Sequence, residues 1–233
     1  VPQLLAYASP SKSFSNPIPI GDQTLWALGT STNGVFNGLS TGQLAIGSVL
    51  STFNSTIGGF VTPEGFVRMV FTPIGGGPTT IGLGQMRTVD GVTAMTMQMI
   101  TGDSVLVTHW ANMLPYDPTV FTPAAPQVVF SNSSPQWTWT AGTPWRIVSP
   151  ALFGTNAPGR FIVTDYQSGY FWGRGVGPKG SPVSQFTLLG SVTPQGKVLF
   201  NTLSQGTLTS LYGDMIGGPT DAQMMTSEYN ALG

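Results

Sequence analysis

His109 is the one imidazole in a chain of 233 residues, held between Thr108 and Trp110 in a run with strand character. A single imidazole can act as a general base, but it cannot build a metal cluster. In such a run it reads first as a hydrogen-bonded structural side chain. No Gly-x-Ser-x-Gly elbow accompanies it, so a serine-hydrolase reading lacks its nucleophile. The nine carboxylates are spread along the whole chain. Many, such as Asp22, Asp90, Asp103 and Asp214, sit at turns, where a carboxylate usually satisfies nearby backbone. Acid-pair hydrolysis requires two facing carboxylates, and Asp117 with Asp165 is the pair that folding would have to bring together. With no cysteine, thiol catalysis, disulfides and thiolate metal sites are excluded. Gly75-Gly76-Gly77-Pro78 lacks the Lys-Ser/Thr ending and following helix of a phosphate loop, so it reads as a strand connection. The expectation is a chain with no catalytic residue, no metal and no cofactor.

Binding groups are the remaining chemistry. Aromatic rings fill cores or stack on sugar faces, and loops on β scaffolds carry recognition groups. Trp110, at the end of a strand, and Tyr116 with Asp117, in a proline-rich loop, are therefore the candidate receptor- or glycan-binding residues. Met95, Met97 and Met99 alternate with Thr96 and Gln98; that period of two reads as a strand with one buried face rather than a soft metal site.

Charge is scarce, at 7% of residues with a net of −1, against about a quarter in ordinary domains. Such a surface suits work outside the cytosol or within a regular assembly. Lys12, Arg68, Arg87, Arg146, Arg160, Arg174, Lys179 and Lys197 are far apart in sequence. No basic stripe for nucleic acid is visible, and recognition is expected to be nearly independent of salt. No apolar run reaches the ~18 residues of a membrane span, so no membrane insertion is expected. The start at Val1, without a charged leader or initiating Met, suggests a fragment or a processed product. Asn54-Ser55-Thr56 and Asn132-Ser133-Ser134 match the glycosylation pattern, a frequent chance match in a Ser/Thr-rich chain.

Thirty-one Gly and nineteen Pro punctuate the chain at all-β spacing. Expected strands are Gln23–Gly29, Gln43–Phe53, Phe66–Phe71, Val92–Ile100, Ser104–Trp110, Trp137–Thr140, Trp145–Val148, Arg160–Tyr166, Gly169–Gly173, Gln185–Gly190, Gly196–Thr202 and Thr207–Tyr212. Asn33-Gly34 and Asn37-Gly38 supply residues that accept positive φ. Hairpins are expected around Thr101-Gly102-Asp103, Gln167-Ser168 and Pro194-Gln195-Gly196. The stretch from Leu114 to Pro126 reads as a connector between two β units. Asp221 is placed to cap a short helix over Ala222–Leu232. Val35–Leu44 is similar to Leu199–Leu208, two units that either pair in one sheet or match by chance.

Leu188-Leu189, Val192, Pro194, Gly196-Lys197-Val198-Leu199-Phe200, Leu203 and Gly206 resemble the closing strands of calicivirus major capsid proteins. Asn16-Pro17-Ile18-Pro19-Ile20 and Gly34–Ser48 are similar to the first part of the same protruding domain, or of the spike of a related icosahedral RNA virus. The resemblance implies an all-β fold of barrel and antiparallel sheet with an inserted outer subdomain. Residues 1–50 plus 128–213 would form the inner part, 51–127 the outer insertion and 214–233 a tail. It further implies a homodimer on the outer surface of a virion, in contact with neighbouring capsid subunits and with a host receptor, often a glycan. A secreted or phage-tail carbohydrate-binding adhesin and an acid-pair hydrolase are the alternatives.

Overall fold

The structure is a computed structural model describing residues 3–7, 13–102, 105–117, 119, 126, 130 and 133–229. It is all-β, with 64% of the chain in strands and 5% in helix. Eight antiparallel strands close a barrel: β1 (Gln3–Tyr7), β2 (Ile18–Leu28), β3 (Val35–Ile46), β4 (Val49–Val61), β5 (Phe66–Pro73), β6 (Thr80–Val89), β7 (Val92–Gly102) and β8 (Val105–Met113). The seam is closed where β1 pairs with both β2 and β8. A seven-stranded antiparallel meander follows: β9 (Pro144–Ile147), β10 (Gly159–Gln167), β11 (Tyr170–Val176), β12 (Gln185–Val192), β13 (Lys197–Ser204), β14 (Thr207–Ile216) and β15 (Gln223–Tyr229). Among the described residues the helices are a 3₁₀ segment, Pro135–Thr140, and one α turn, Pro150–Phe153.

Turn chemistry sets much of the register. Asn33, Asp90, Ser168 and Gln205 have positive φ, and each precedes a glycine with positive φ. Positive φ at both central residues matches the right-handed twist of paired strands. The pairs Val89↔Val92 and Ser204↔Thr207 flank two of these turns.

Alternation then sorts the side chains into three apolar layers. Inside the barrel lie Phe36, Ile57, Met69, Phe71, Met97 and Met99. Gly82 and Gly84 make room for them: a Cβ on Gly84 would stand 2.3 Å from the Met97 sulfur. The outer face of β6–β8 carries Ile81, Leu83, Leu106 and Trp110, which pack on Tyr170, Leu189 and Leu199 of the sheet. The far side of the sheet buries Phe161, Phe171, Phe186, Leu188 and Phe200, covered by the α turn's Phe153 and by the 3₁₀ segment's Trp137 and Trp139.

Several expectations are corrected. The division into 1–50 plus 128–213, 51–127 and 214–233 gives way to a sequential one, barrel then sheet. Residues on either side of position 50 belong to one β3–β4 hairpin, from Val35↔Phe60 to Ile46↔Val49. Across position 213, β14 continues unbroken and β15 pairs with it. Where a helix over 222–232 is expected, Gln223–Tyr229 form that strand, β15, because they complete the sheet edge, and 230–232 lie outside the described residues. Gln43–Phe53 is split by a turn at Gly47, whose φ is 59°. Asn37-Gly38 lies within β3 rather than at a turn. Trp137–Thr140 is 3₁₀, started by Pro135, with the Trp137 indole donating to Thr193 O at 2.9 Å. The methionine strand β7 is buried on both faces, since Thr96 and Gln98 lie under the sheet while Met97 and Met99 fill the barrel. Val35–Leu44 and Leu199–Leu208 fall in different sheets. The connector at 114–126 does join the two β units, although Pro118 and 120–125 lie outside the described residues, as do Asp103 and Asn132.

Candidate functional site

Period two along β8 separates the two residues that sequence places side by side. Trp110 faces outward into the barrel–sheet interface and is 1% exposed. Its backbone N–H donates to the Tyr170 hydroxyl at 3.0 Å, and its indole donates to Ser168 O at 2.8 Å. A ring so enclosed offers no face to a glycan, so Trp110 is a joint between barrel and sheet, not a receptor contact. Tyr116 is 48% exposed. Asp117 is exposed too, its Oδ1 accepting from Thr119 N–H and Oγ1 at 2.8 and 2.7 Å. Asp165 is likewise exposed, and its Oδ1 accepts from Tyr166 N–H at 2.8 Å. Each carboxylate is thus engaged within its own loop or strand.

His109 faces inward. There an open cavity of about 310 Å³ enters the barrel beside the β5–β6 loop, with Gly76, Gly77 and Pro78 at the rim. Its walls are Trp26, Leu44, Phe53, Phe71, Met99 and Val107, and its polar lining includes Gln3, Thr24, Ser40, Ser55, Thr101 and His109. Trp26 and Phe71 form a tilted pair with ring centroids 5.2 Å apart. Gln3 Nε2 donates to His109 Nδ1 at 3.3 Å. An amide nitrogen only donates, so Nδ1 accepts and the ring proton sits on Nε2. Burial lowers the His109 pKa from 6.5 to about 3, keeping the ring neutral. Behind the lining, Asp22 is buried, and desolvation raises its pKa against the opposing hydrogen bonds of Thr24 and Gln3. Thr24 Oγ1 donates to Asp22 Oδ1 at 2.7 Å.

The His109 Nε2 donor has no partner among the described residues. A buried polar atom left without a partner costs about 1–3 kcal/mol. The other buried side-chain atoms in that condition, Arg87 Nε, Thr108 Oγ1, Trp145 Nε1, Asn201 Nδ2 and Thr202 Oγ1, belong to residues outside this cavity lining. A neutral donor among aromatic walls and hydroxyls is suited to a small uncharged ligand with acceptor oxygens. Among the described residues no group of three His, Asp or Glu side chains is arranged to hold a metal.

Two more surfaces stand out. Residues 23–63 contain no Asp, Glu, Lys or Arg, and this stretch supplies most of β2 and all of β3 and β4. On its outer face Leu25, Val35, Leu39, Leu50 and Phe60 are exposed. Three of the cations, scattered in sequence, come together in space. Arg146 is directly paired with Arg160, and Arg174 is one diagonal step away across β10–β11.

The barrel cavity escaped sequence reading because its lining comes from all eight barrel strands and the β5–β6 loop, each strand contributing one or two inward residues. The alternation around His109 was the one available signal. No protein-family model, curated protein or solved structure matches the chain.

Proposed function

We propose that this chain is a non-catalytic attachment module that holds the terminal sugar of a host glycan in the mouth of its barrel. The observation carrying this reading is the open cavity of about 310 Å³ with aromatic walls and the unpartnered His109 Nε2 donor. Rings of Trp26 or Phe53 would cover the apolar face of a sugar, while Thr, Ser and Gln groups and His109 Nε2–H would meet its oxygens. Eight strands are wide enough to hold one small ligand and too narrow for a channel. The resemblance to capsid protruding domains supports a place on the outer surface of a virion.

The same reading makes the chain a homodimer. The charge-free outer face of β2–β4 supports it: two copies can meet there across a two-fold axis without like-charge repulsion. Leu25, Val35, Leu39, Leu50 and Phe60 would then be removed from water.

A neutral-glycan array followed by ligand-observed NMR tests the site. The expected result is binding that Trp26→Ala weakens by about ten-fold, an amount typical of a lost stacking face, with thermal stability of the barrel retained. Failure of every neutral glycan to bind at millimolar concentration would remove the reading. Sedimentation of Leu39→Glu tests the pairing, with a shift from dimer to monomer expected. A jelly-roll shell encoded directly upstream would favour the virion, and a secretion signal there an adhesin.

A further inference from the structure

Three of the eight cations in this charge-poor chain fall in one patch of the second sheet. Arg146↔Arg160 is a cross-strand pair, and Arg174 pairs with Ile162, two residues along β10 from Arg160. Paired and alternate residues share a face. The three guanidinium stems therefore rise from one face, with Cβ atoms about 5 Å apart for the direct pair and about 7 Å for the diagonal. Like charges directly opposite are unfavourable. No carboxylate lies beside them in register: the further cross-strand neighbours are Val176 opposite Arg160 and Thr187 opposite Arg174. The nearest acid in register is Asp165, opposite Trp172, and its Oδ1 accepts from Tyr166 N–H. Among the described residues the only ion pair is Lys197–Asp214, so all three arginines are exposed and unpaired.

The patch borders two depressions. One, of about 840 Å³, is lined by Arg160 and Arg174 together with Ser13, Ser184, Gln185 and Thr187. The other, of about 370 Å³, shares Arg174 and Thr187 and adds the half-buried ring of Trp172. Together they make a track from an aromatic end at Trp172 and Phe14, past neutral hydroxyls and an amide, to a row of planar forks. Guanidinium forks match the paired oxygens of sulfate and carboxylate groups. A single-stranded nucleic acid would require a row of exposed rings, one for each stacked base; here the half-buried rings, Phe14 and Trp172, both lie at one end, and Phe161 and Phe186 are buried. Hydroxyls and an amide fit the sugar ring between anionic groups.

The geometry points to a second ligand site on β9–β11, formed by Arg146, Arg160, Arg174 and Trp172, for an oligosaccharide bearing sulfate or carboxylate groups. It lies on the sheet, not in the barrel, and stands independently of the barrel-mouth reading.

The test is isothermal titration of the whole chain with a sulfated hexasaccharide, a carboxylated one and the uncharged parent. The charged sugars should bind and the parent should not. Affinity should fall about ten-fold or more from ~50 to ~500 mM salt, as the screening length shortens to about 4 Å. Arg160→Gln with Arg174→Gln should cost about ten-fold or more, since charge-assisted bonds are the strong ones. Both side chains are exposed, and circular dichroism would check that the fold is intact. Arg174→Lys should fall between, keeping charge without the fork. Arg68→Gln with Arg87→Gln, on the barrel, should change nothing, and neither should Trp26→Ala. Salt-insensitive binding, no binding of either charged sugar, or full binding by the Arg160/Arg174 double variant would each overturn the proposal. So would tighter binding of a single-stranded DNA oligomer or of anionic vesicles than of the charged sugars. Loss of neutral-glycan binding with the charged sugars still bound would instead remove only the barrel-mouth reading.

Discussion

The indole of Trp110 donates to the carbonyl of Ser168 at 2.8 Å, across the junction of barrel and sheet. Beside it, a Cβ on Gly169 would stand 2.4 Å from that indole nitrogen, and Gly169 also has φ of 90°. Trp110→Phe keeps most of the apolar area but leaves the Ser168 carbonyl unpaired, at an expected cost of about 1–3 kcal/mol. Gly169→Ala should cost at least as much, from the clash and the backbone strain together. Urea denaturation measures both. Glycan binding by the folded Trp110→Phe protein should be unchanged, because the ring faces away from the cavity.

Polar contacts across the same junction should differ sharply in worth. Gln98 Nε2 lies 3.0 Å from each of Ser191 O, Ser191 Oγ and Lys197 O, in buried surroundings. Gln98→Leu should therefore destabilise by about 2–3 kcal/mol, since the carbonyls it serves lose their donor. Lys197–Asp214 is shorter, at 2.6 Å, yet 33% and 49% exposed. Asp214→Asn should cost less than about 1 kcal/mol. Equal losses in the two variants would contradict this ranking.

His109 makes stability depend on pH in a defined direction. Its folded pKa is lowered from 6.5 to about 3. The unfolded chain therefore takes up the proton first as pH falls, and this contribution to stability is complete above about 6.5 and lost progressively toward 3. The slope in that window approaches about 1.4 kcal/mol per pH unit. Asp22 acts oppositely: its raised pKa contributes stability at low pH that is lost as pH rises through the folded value. Stability curves of the wild type, His109→Phe and Asp22→Asn between pH 3 and 7 should separate the two. A wild-type curve flat between pH 4 and 6.5, with Asp22→Asn equally flat, would contradict the buried neutral imidazole.

Gly42 sits opposite Phe53 in the barrel wall, and a Cβ there would stand 2.2 Å from the Phe53 ring. Gly42→Ala must therefore swing that ring. Phe53 lines open space rather than packed core, so the expected stability change is within about 1 kcal/mol. Affinity for a ligand in the barrel mouth should change several-fold. Unchanged affinity would place the ligand away from Phe53.

Local turn chemistry carried much of the fold into the sequence. Asn33-Gly34 and Asp90-Gly91 are legible because few other pairs accept positive φ twice, and the runs flanking Pro194-Gln195-Gly196 are legible because they alternate. Gln205-Gly206 does the same work with a less typical first residue. β1 and β15 are short and chemically bland, and they become strands only because a seam and an edge are there to pair with. Barrel closure itself depends on β1 meeting β8, a contact with no local signature. For the same reason Trp110, prominent as an aromatic at a strand end, was read as a binding group: which way it faces depends on a sheet that begins some thirty residues later. The arginine patch is a product of register, since Arg146, Arg160 and Arg174 are fourteen residues apart in the chain and neighbours only across strands.

Of the strand pairings in the structure, all but one join sequence neighbours; β1 to β8 is the exception. Gln3 and His109, in contact across that seam, are 106 residues apart. Closing a loop of that length carries an entropy cost of about 4 kcal/mol beyond the constant term. Hairpins, β1–β2 among them, can form early and cheaply, while the second pairing of the first strand must wait for the eighth to be built. Substitutions in β1 should then leave the refolding rate nearly untouched and speed unfolding. The seam that completes the barrel cavity should also be the last part of the barrel to close and the first to open.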